Sequence, residues 1–149
     1  MTYEIHEGGY LVGTDPSLLE IDRIHAFLRK SYWAEGVPRD VVARSTENSI
    51  PFGLYDADHQ VGFARAITDR ATFAYMADVY VETEHQRRGF GKLLMRAVMA
   101  HPDLRGLRRW MLATNDAHGL CRQCGFSELG HPQRWMEKHD RNVYKRAQA

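Results

Sequence analysis

The segment from residue 78 to residue 94 restricts the fold more than any other part of this chain. Asp78-Val79-Tyr80-Val81 has the composition of a strand, a short basic loop with Gly89 and Gly91 follows, and the next apolar residues recur with helical spacing. Glycines let the main chain approach a ligand closely, and a helix N-terminus offers unpaired N–H groups and a partial positive charge. The segment therefore predicts a strand, a turn and a helix that together hold a pyrophosphate.

Two common phosphate-binding motifs do not fit this loop. A Walker A loop has a glycine five residues before its Gly-Lys pair and Ser or Thr after it, where this chain has Gln86 and Leu93. A dinucleotide fingerprint needs a third small residue, where this chain has Leu94. The pattern Gln86-Arg87-Arg88-Gly89-Phe90-Gly91 instead resembles the pyrophosphate loop of the GCN5-related N-acetyltransferase (GNAT) family, Gln/Arg-x-x-Gly-x-Gly/Ala. The alternative is an ordinary strand-to-helix turn with two incidental arginines.

Length and charge indicate one domain over residues 1–149 and a small ligand. A hydrophobic content of 44% and a charged content of 26% are ordinary for a soluble globular protein. The net charge of +1 provides no basic field for nucleic acid or an anionic membrane. No run has the length of a membrane helix and no signal peptide is recognisable, so the cytoplasm is the expected location. The local cluster of Arg87, Arg88 and Lys92 therefore fits a small anion.

Two cysteines, Cys121 and Cys124, form a CxxC pattern that invites a zinc or redox interpretation. A structural zinc site takes four ligands, and the chain has no second cysteine pair, although His118 and His131 lie near in sequence. We therefore expect no metal, and two packed thiols on a helix.

The periodicity along the chain predicts an α/β (α+β) domain. Strands are expected at residues 3–7, 10–13, 52–55, 61–68, 72–81, 109–114 and from Trp135 to Lys138. Helices are expected from Asp15-Pro16 to Leu28 and at residues 40–48, 90–100 and 116–124. This order matches the GNAT fold, a mixed and mostly antiparallel central sheet of six to seven strands flanked by about four helices. The resemblance covers most of the chain and is strongest over residues 61–126.

The resemblance implies acetyl-coenzyme A as the donor and a primary amine of a small molecule as the acceptor. It also implies that the amine attacks the donor directly, without a covalent enzyme intermediate. In this family the pantetheine arm pairs with the strand before the loop, and one strand N–H polarises the thioester carbonyl. The matching cofactor-binding positions here are Val79, Tyr80, Val81, Gln86, Arg87, Arg88, Gly89, Phe90, Gly91, Lys92 and Asn115. For Asn115, capping of the helix that follows is an equal alternative.

The resemblance leaves the catalytic base open. An alkyl ammonium with a pKa near ~10.4 must lose a proton before it can attack. Asp78 and His118 are the candidates by position, and the glutamate frequent in the family aligns with Tyr75. Asp78 is alternatively a structural carboxylate bonded to the backbone or to an arginine, and His118 a solvated helix-start residue.

The position of the family's usual acid carries a different residue. Many members have a tyrosine four residues before the Gly-Phe pair that protonates the departing thiolate, and here Gly125-Phe126 puts Cys121 there. A thiol with a pKa near ~8.5 can replace a phenol with a pKa near ~10 as the proton donor. The alternative is an inert packed thiol.

The acceptor residues suggested by the resemblance are Tyr32, Trp33, Glu35 and Phe73. The aromatic rings among them could stack on an ammonium group, or simply cover the core. Arg108, Arg109 and Arg134 could pair with a substrate carboxylate. Two other functions stay open, an acetyl-coenzyme A-binding protein with little catalysis and a protein or peptide N-acetyltransferase. A homodimer is an open alternative to a monomer.

Overall fold

In the computed structural model, which describes residues 2–147, six strands lie in one sheet in their order along the chain. The strands are β1 Glu4–Glu7, β2 Tyr10–Gly13, β3 Ile50–Asp56, β4 His59–Thr68, β5 Phe73–Val81 and β6 Arg109–Met111. The helices are α1 Ile21–Leu28, α2 Arg39–Glu47, α3 Phe90–Ala100, α4 His118–Gln123 and α5 Val143–Ala147. Strands β1 to β5 pair antiparallel and β6 pairs parallel with β5. The mixed, mostly antiparallel sheet expected from the sequence is confirmed.

Both faces of the sheet are covered, which explains why β3 and β4 read as nearly continuous apolar runs. On one face Phe52, Leu54 and Ala64 pack with the apolar side of α3. On the other face Phe63 and Tyr80 pack with α1 and α2. Neighbouring strand residues point to opposite faces, so β4 and β5 each contribute to both cores.

A bulge in β5 changes which face of the sheet the side chains at the end of that strand point to. Its register against β4 shifts between Phe63 and Arg65, and Asp78 takes a φ of 56°. Ala74 and Met76 face the α3 side before the bulge, whereas odd-numbered residues such as Val79 face that side after it. The extra residue therefore reverses the alternation and brings the Asp78 carboxylate beside Arg65, on the other face.

Strands β5 and β6 separate just before the bulge. Their parallel pairing covers three positions and ends with Tyr75 opposite Met111, while β5 continues to Val81. The sequence predicted a strand up to residue 114, so that prediction is too long by three residues. The reason is that the bulge turns β5 away and leaves the segment after Met111 without a strand partner.

The helix expected from Asp15-Pro16 to Leu28 is interrupted. Asp15 does cap a turn, because its carboxylate accepts a hydrogen bond from the N–H of Ser17, but this 3₁₀ turn ends at Leu18. The N–H of Glu20 then donates to Oε1 of Gln60 at 2.8 Å, and the N–H of Gln60 donates to the Glu20 carboxylate at 2.5 Å. These two bonds to β4 hold Glu20 out of the helix, and α1 begins at Ile21.

The prediction of a last strand from Trp135 to Lys138 is wrong. These residues are exposed and outside any strand, and a 3₁₀ turn, Pro132–Arg134, comes before them. A seventh strand would find only three residues of free edge on β6, which offers few main-chain hydrogen bonds. Instead the guanidinium of Arg109 lies 4.8 Å from the centre of the Trp135 ring.

The segment after α4 carries the chain from one face of the sheet to the other. Phe126, near the end of α4, packs against the core on the α3 side. Tyr144, on α5, packs against the core formed with α1 and α2. The C-terminal helix is thereby placed on the face opposite to α3.

Candidate active site

A cleft of about 420 Å³ opens where β5 and β6 separate. Met95, Leu120 and Cys121 line it from the α3 side of the sheet, and Leu28 and Tyr144 line it from the α1 side. Because residues from both cores border one cavity, the cavity passes through the sheet. We call it the through-sheet cleft.

The segment of residues 86–92, which leads from β5 into the first turn of α3, presents a row of unused main-chain donors. Arg87 and Gly89 take φ values of 64° and 83°. Within the described chain, none of the N–H groups from Arg87 to Lys92 donates to an acceptor, and α3 has no acidic residue in its first turn. The side chain of Gln86 donates to the carbonyl of Val81 at 2.8 Å and ties the loop to β5. We call residues 86–92 the amide loop.

The charge at the amide loop is positive and unpaired. Arg87, Arg88 and Lys92 are exposed, and none forms an ion pair with any residue among 2–147. Free N–H groups, a helix N-terminus and three free cations together make an anion-binding surface. Gly91 also lets α3 pack closely against α4, since a Cβ at this position would approach the Leu120 side chain to 3.3 Å.

Asp78 lies in the through-sheet cleft with both carboxylate oxygens bonded. Nε of Arg65 donates to Oδ2 at 2.6 Å, and the indole Nε1 of Trp33 donates to Oδ1 at 2.9 Å. The Asp78 side chain is 10% exposed and that of Arg65 16% exposed. The arginine partner that the sequence left as an alternative is therefore present, and the role of Asp78 as a base stays a prediction.

Cys121 and His118 lie on the same helix but in different surroundings. Cys121 is buried and lines the through-sheet cleft. Burial, and then the neighbouring Cys124, raise the pKa of the Cys121 thiol, so it keeps its proton at neutral pH. His118 is exposed at the first residue of α4 and lines a smaller neighbouring cavity of about 180 Å³ rather than the cleft. Both catalytic roles stay predictions.

Asn115 and Tyr32 connect the two sides of the cleft. The N–H of Asn115, after β6, donates to the hydroxyl oxygen of Tyr32, after α1, at 3.0 Å. The capping role considered for Asn115 is wrong, because the Thr114 hydroxyl accepts from the N–H groups of Asp116 and Ala117 at 3.3 and 3.2 Å. The helix also begins at His118, two residues later than expected.

Two of the four predicted acceptor residues border the cleft. Tyr32 and Trp33 line it. Glu35 is exposed outside the cleft lining, and Phe73, the first residue of β5, also lies outside it. Sequence reasoning missed Tyr75 as a wall of the cleft, although Tyr75 follows Phe73 on the same face of the strand. It also missed Tyr144, for which no local signal exists.

The three arginines considered for a substrate carboxylate lie outside the cleft lining. Arg109 and Arg134 border a separate open cavity of about 620 Å³ beside β6, together with Trp135. Arg108 is exposed, and its N–H donates to the carbonyl of Thr72.

Among residues 2–147, no group of three or more His, Cys, Asp or Glu side chains is placed to hold a metal ion. Over the same residues, the structure contains no helix with the length and apolar character that a membrane span requires.

Comparisons with known proteins agree with this architecture. The sequence model of the Acetyltransferase (GNAT) family matches residues 17–126. A Gibberella zeae protein that carries the name of an acetyltransferase, FG08082, is 38% identical over an alignment covering 73% of each chain. A crystal structure described as belonging to the GNAT family, from Xanthomonas campestris pv. campestris, is 48% identical with a TM-score of 0.90, covering 93% of this chain and 99% of that one.

A structure with acetyl-CoA shares the fold at low identity. It comes from Clostridium acetobutylicum, is 12% identical, has a TM-score of 0.63, and covers 93% of this chain and 96% of that one.

Proposed function

Because the chain belongs to the GNAT family of acetyltransferases, we propose that it transfers the acetyl group of acetyl-coenzyme A to a primary amine of a small molecule by direct attack. The observation that carries the proposal is the through-sheet cleft beside the amide loop. A donor held at the loop and an acceptor entering from the α1 side would meet inside the sheet.

The amide loop supplies what a diphosphate needs. Its free N–H groups, from Arg87 to Lys92, would bind the phosphate oxygens, and the three basic side chains would add charge. The pantetheine arm would lie along Val79 to Val81, where β5 has lost its β6 neighbour. One N–H of this strand would polarise the thioester carbonyl.

Asp78 is our candidate to receive the proton of the attacking amine through a water molecule. Among the described residues, two acidic side chains, Asp78 and Asp116, line the cleft, and Asp78 is the less exposed of them. Its position at the bulge, between the acceptor side and the strand proposed for the pantetheine arm, supports the choice. His118 is less well situated, since it lies outside the cleft lining.

Cys121 is our candidate for the acid. The amine attacks the thioester carbonyl carbon, the carbon–sulfur bond breaks, and the departing thiolate takes the proton of the Cys121 thiol. The raised pKa of that thiol keeps the proton available at neutral pH. Solvent then returns a proton to Cys121.

Release of free thiol from acetyl-coenzyme A with a panel of primary amines tests this function. An enzyme gives amine-dependent release above the blank, with an acetylated product of the expected mass. A protein that only binds the cofactor would instead gain thermal stability with acetyl-coenzyme A without any release. That second outcome would overturn the proposed catalysis while leaving cofactor binding intact.

A further inference from the structure

We infer that the acceptor is a primary amine carried on an aromatic or aliphatic body without a carboxylate or phosphate group. This inference rests on the proposed function and narrows its acceptor class. It follows from the charges, the rings and the size of the part of the through-sheet cleft that faces α1 and α2.

The cleft offers no free cation to an acidic acceptor. Arg65 is the one Lys, Arg or His side chain among the described residues that line it. Its Nε is already bonded to Asp78, and both side chains are mostly buried. An acceptor carboxylate or phosphate would have to share the Arg65 guanidinium with Asp78, whose charge already balances it, and would add a further negative charge to a cleft that Asp78 and Asp116 also line.

The walls of the cleft suit an apolar body and an ammonium group. Four aromatic side chains of the described part of the chain line it, namely Tyr32, Trp33, Tyr75 and Tyr144. Aliphatic side chains from the α1 side complete the surface, namely Leu28, Val37, Val41, Val42 and Ile67. Trp33 and Ile67 are each 41% exposed, so an acceptor in the cleft would cover apolar surface that now faces solvent. The rings also offer π-faces to a cation.

The C-terminal helix limits the size of the acceptor. Tyr144 on α5 packs against the α1–α2 core and forms part of the cleft wall. The cleft volume of about 420 Å³ is at the low end of small-molecule sites, which range from ~300 to ~1,000 Å³. The acetyl-bearing end of the donor would share this space, so a compact amine fits better than a peptide segment.

Matched pairs of amines that differ by one acidic group give the decisive experiment. The rate of thiol release, as kcat/KM, is measured for 2-phenylethylamine against phenylalanine, tryptamine against tryptophan, and isoamylamine against leucine. We expect each amine without the carboxylate to be favoured by at least about 100-fold, because the only cation among the described lining residues, Arg65, is already balanced by Asp78. The amine of each amino acid is a weaker base than that of its partner, so a larger fraction of it is unprotonated at neutral pH. This difference alone would favour the amino acids, so it cannot produce the expected preference.

A variant pair tests whether α5 contributes. Tyr144→Ala should raise the KM for the aromatic amines several-fold. Val143→Ala, on the same helix and outside the cleft lining, serves as the control and should leave the KM unchanged. Equal loss in both variants would show a general effect of the helix and would contradict the wall assigned to Tyr144.

The outcomes separate this inference from the proposed function. Amine-dependent release with equal or better rates for the amino acids would overturn the inference and leave the acetyltransferase function standing. Absence of release with every amine, while acetyl-coenzyme A still stabilises the protein, would overturn both.

Discussion

The guanidinium of Arg65 and the carboxylate of Asp78 form an ion pair with an Nε–Oδ2 distance of 2.6 Å across the bulge between β4 and β5. The indole of Trp33 completes the set by donating to the other carboxylate oxygen. One group of contacts therefore joins the bulged strand, its neighbour and the segment after α1 at the point where the acceptor is proposed to enter. Structural and catalytic roles of Asp78 can be separated because its partners are known.

We expect Asp78→Asn to destabilise the protein by about 3 kcal/mol, because it leaves the Arg65 guanidinium buried without an anion. The double variant Arg65→Met with Asp78→Asn should recover most of that loss. Urea unfolding measures both free energies. If the double variant regains stability and stays inactive in thiol release, Asp78 acts in proton transfer. Recovered activity in that variant would assign Asp78 to structure alone.

Reversing one charge on the amide loop should weaken binding of acetyl-coenzyme A. Arg88→Glu is expected to raise the Kd by about tenfold or more, since charge-assisted contacts to phosphate contribute ~1.5–3 kcal/mol. The control is Arg105→Glu, which makes the same charge change at an exposed position beyond the other end of α3. Calorimetric titration of both variants at low and moderate salt measures the Kd. A matching loss in the control would indicate a general field effect instead of a local site.

Two glycines, one just before α3 and one within α4, should respond to alanine in opposite directions. Gly89 has a φ of 83°, so Gly89→Ala should cost about 1 kcal/mol or more of the free energy of unfolding. Gly119 lies within α4 with nothing within 4 Å of an added Cβ, so Gly119→Ala should stabilise by about 0.5–1 kcal/mol. Denaturant midpoints give both values. A stable Gly89→Ala protein would contradict the left-handed geometry of the amide loop.

Cys121→Ala should lower kcat at saturating acetyl-coenzyme A, whereas Cys124→Ala, which changes a thiol outside the through-sheet cleft lining, should not. Steady-state thiol release measures both effects. An unchanged kcat in Cys121→Ala would remove the acid role.

The raised pKa of Cys121 also predicts how stability depends on pH. As the pH rises, the folded state keeps the thiol proton longer than the unfolded state does. The contribution of this thiol to stability is therefore fully present below the ordinary thiol pKa of ~8.5. That contribution is lost as the pH rises from there through the raised pKa. Unfolding free energies of the wild type should therefore fall more steeply above that pH than those of Cys121→Ala. Parallel curves would contradict the shift.

Local sequence signals predicted the parts of the fold whose cause lies within a few residues. The apolar spacing after Gly91 predicted α3 from Phe90 to Ala100 with the same bounds that the structure shows. The alternation from residue 52 onward predicted the β3–β4 hairpin. The glycines and basic residues of the amide loop predicted a turn with free donors, because those properties belong to the loop itself.

Contacts between distant residues decided the rest. The two hydrogen bonds between Glu20 and Gln60 span 40 positions and interrupt a helix that local spacing favours. The side chain of Arg65 finds Asp78 only because β4 and β5 pair with a bulge between them. Tyr144 lines the cleft because the chain passes around to the α1 side before α5, which no nearby pattern announces.

By itself, then, the sequence determined the order of the helices and strands as far as α4, the family resemblance and the loop that can hold an anion, since each of these depends on periodicity, turn chemistry or charge over a short stretch. The tertiary structure alone decided which side chains face the cleft and which are neutralised by partners. The physical reason is that burial and ion pairing depend on surroundings assembled from separate strands and helices, and these surroundings exist only once the sheet has formed.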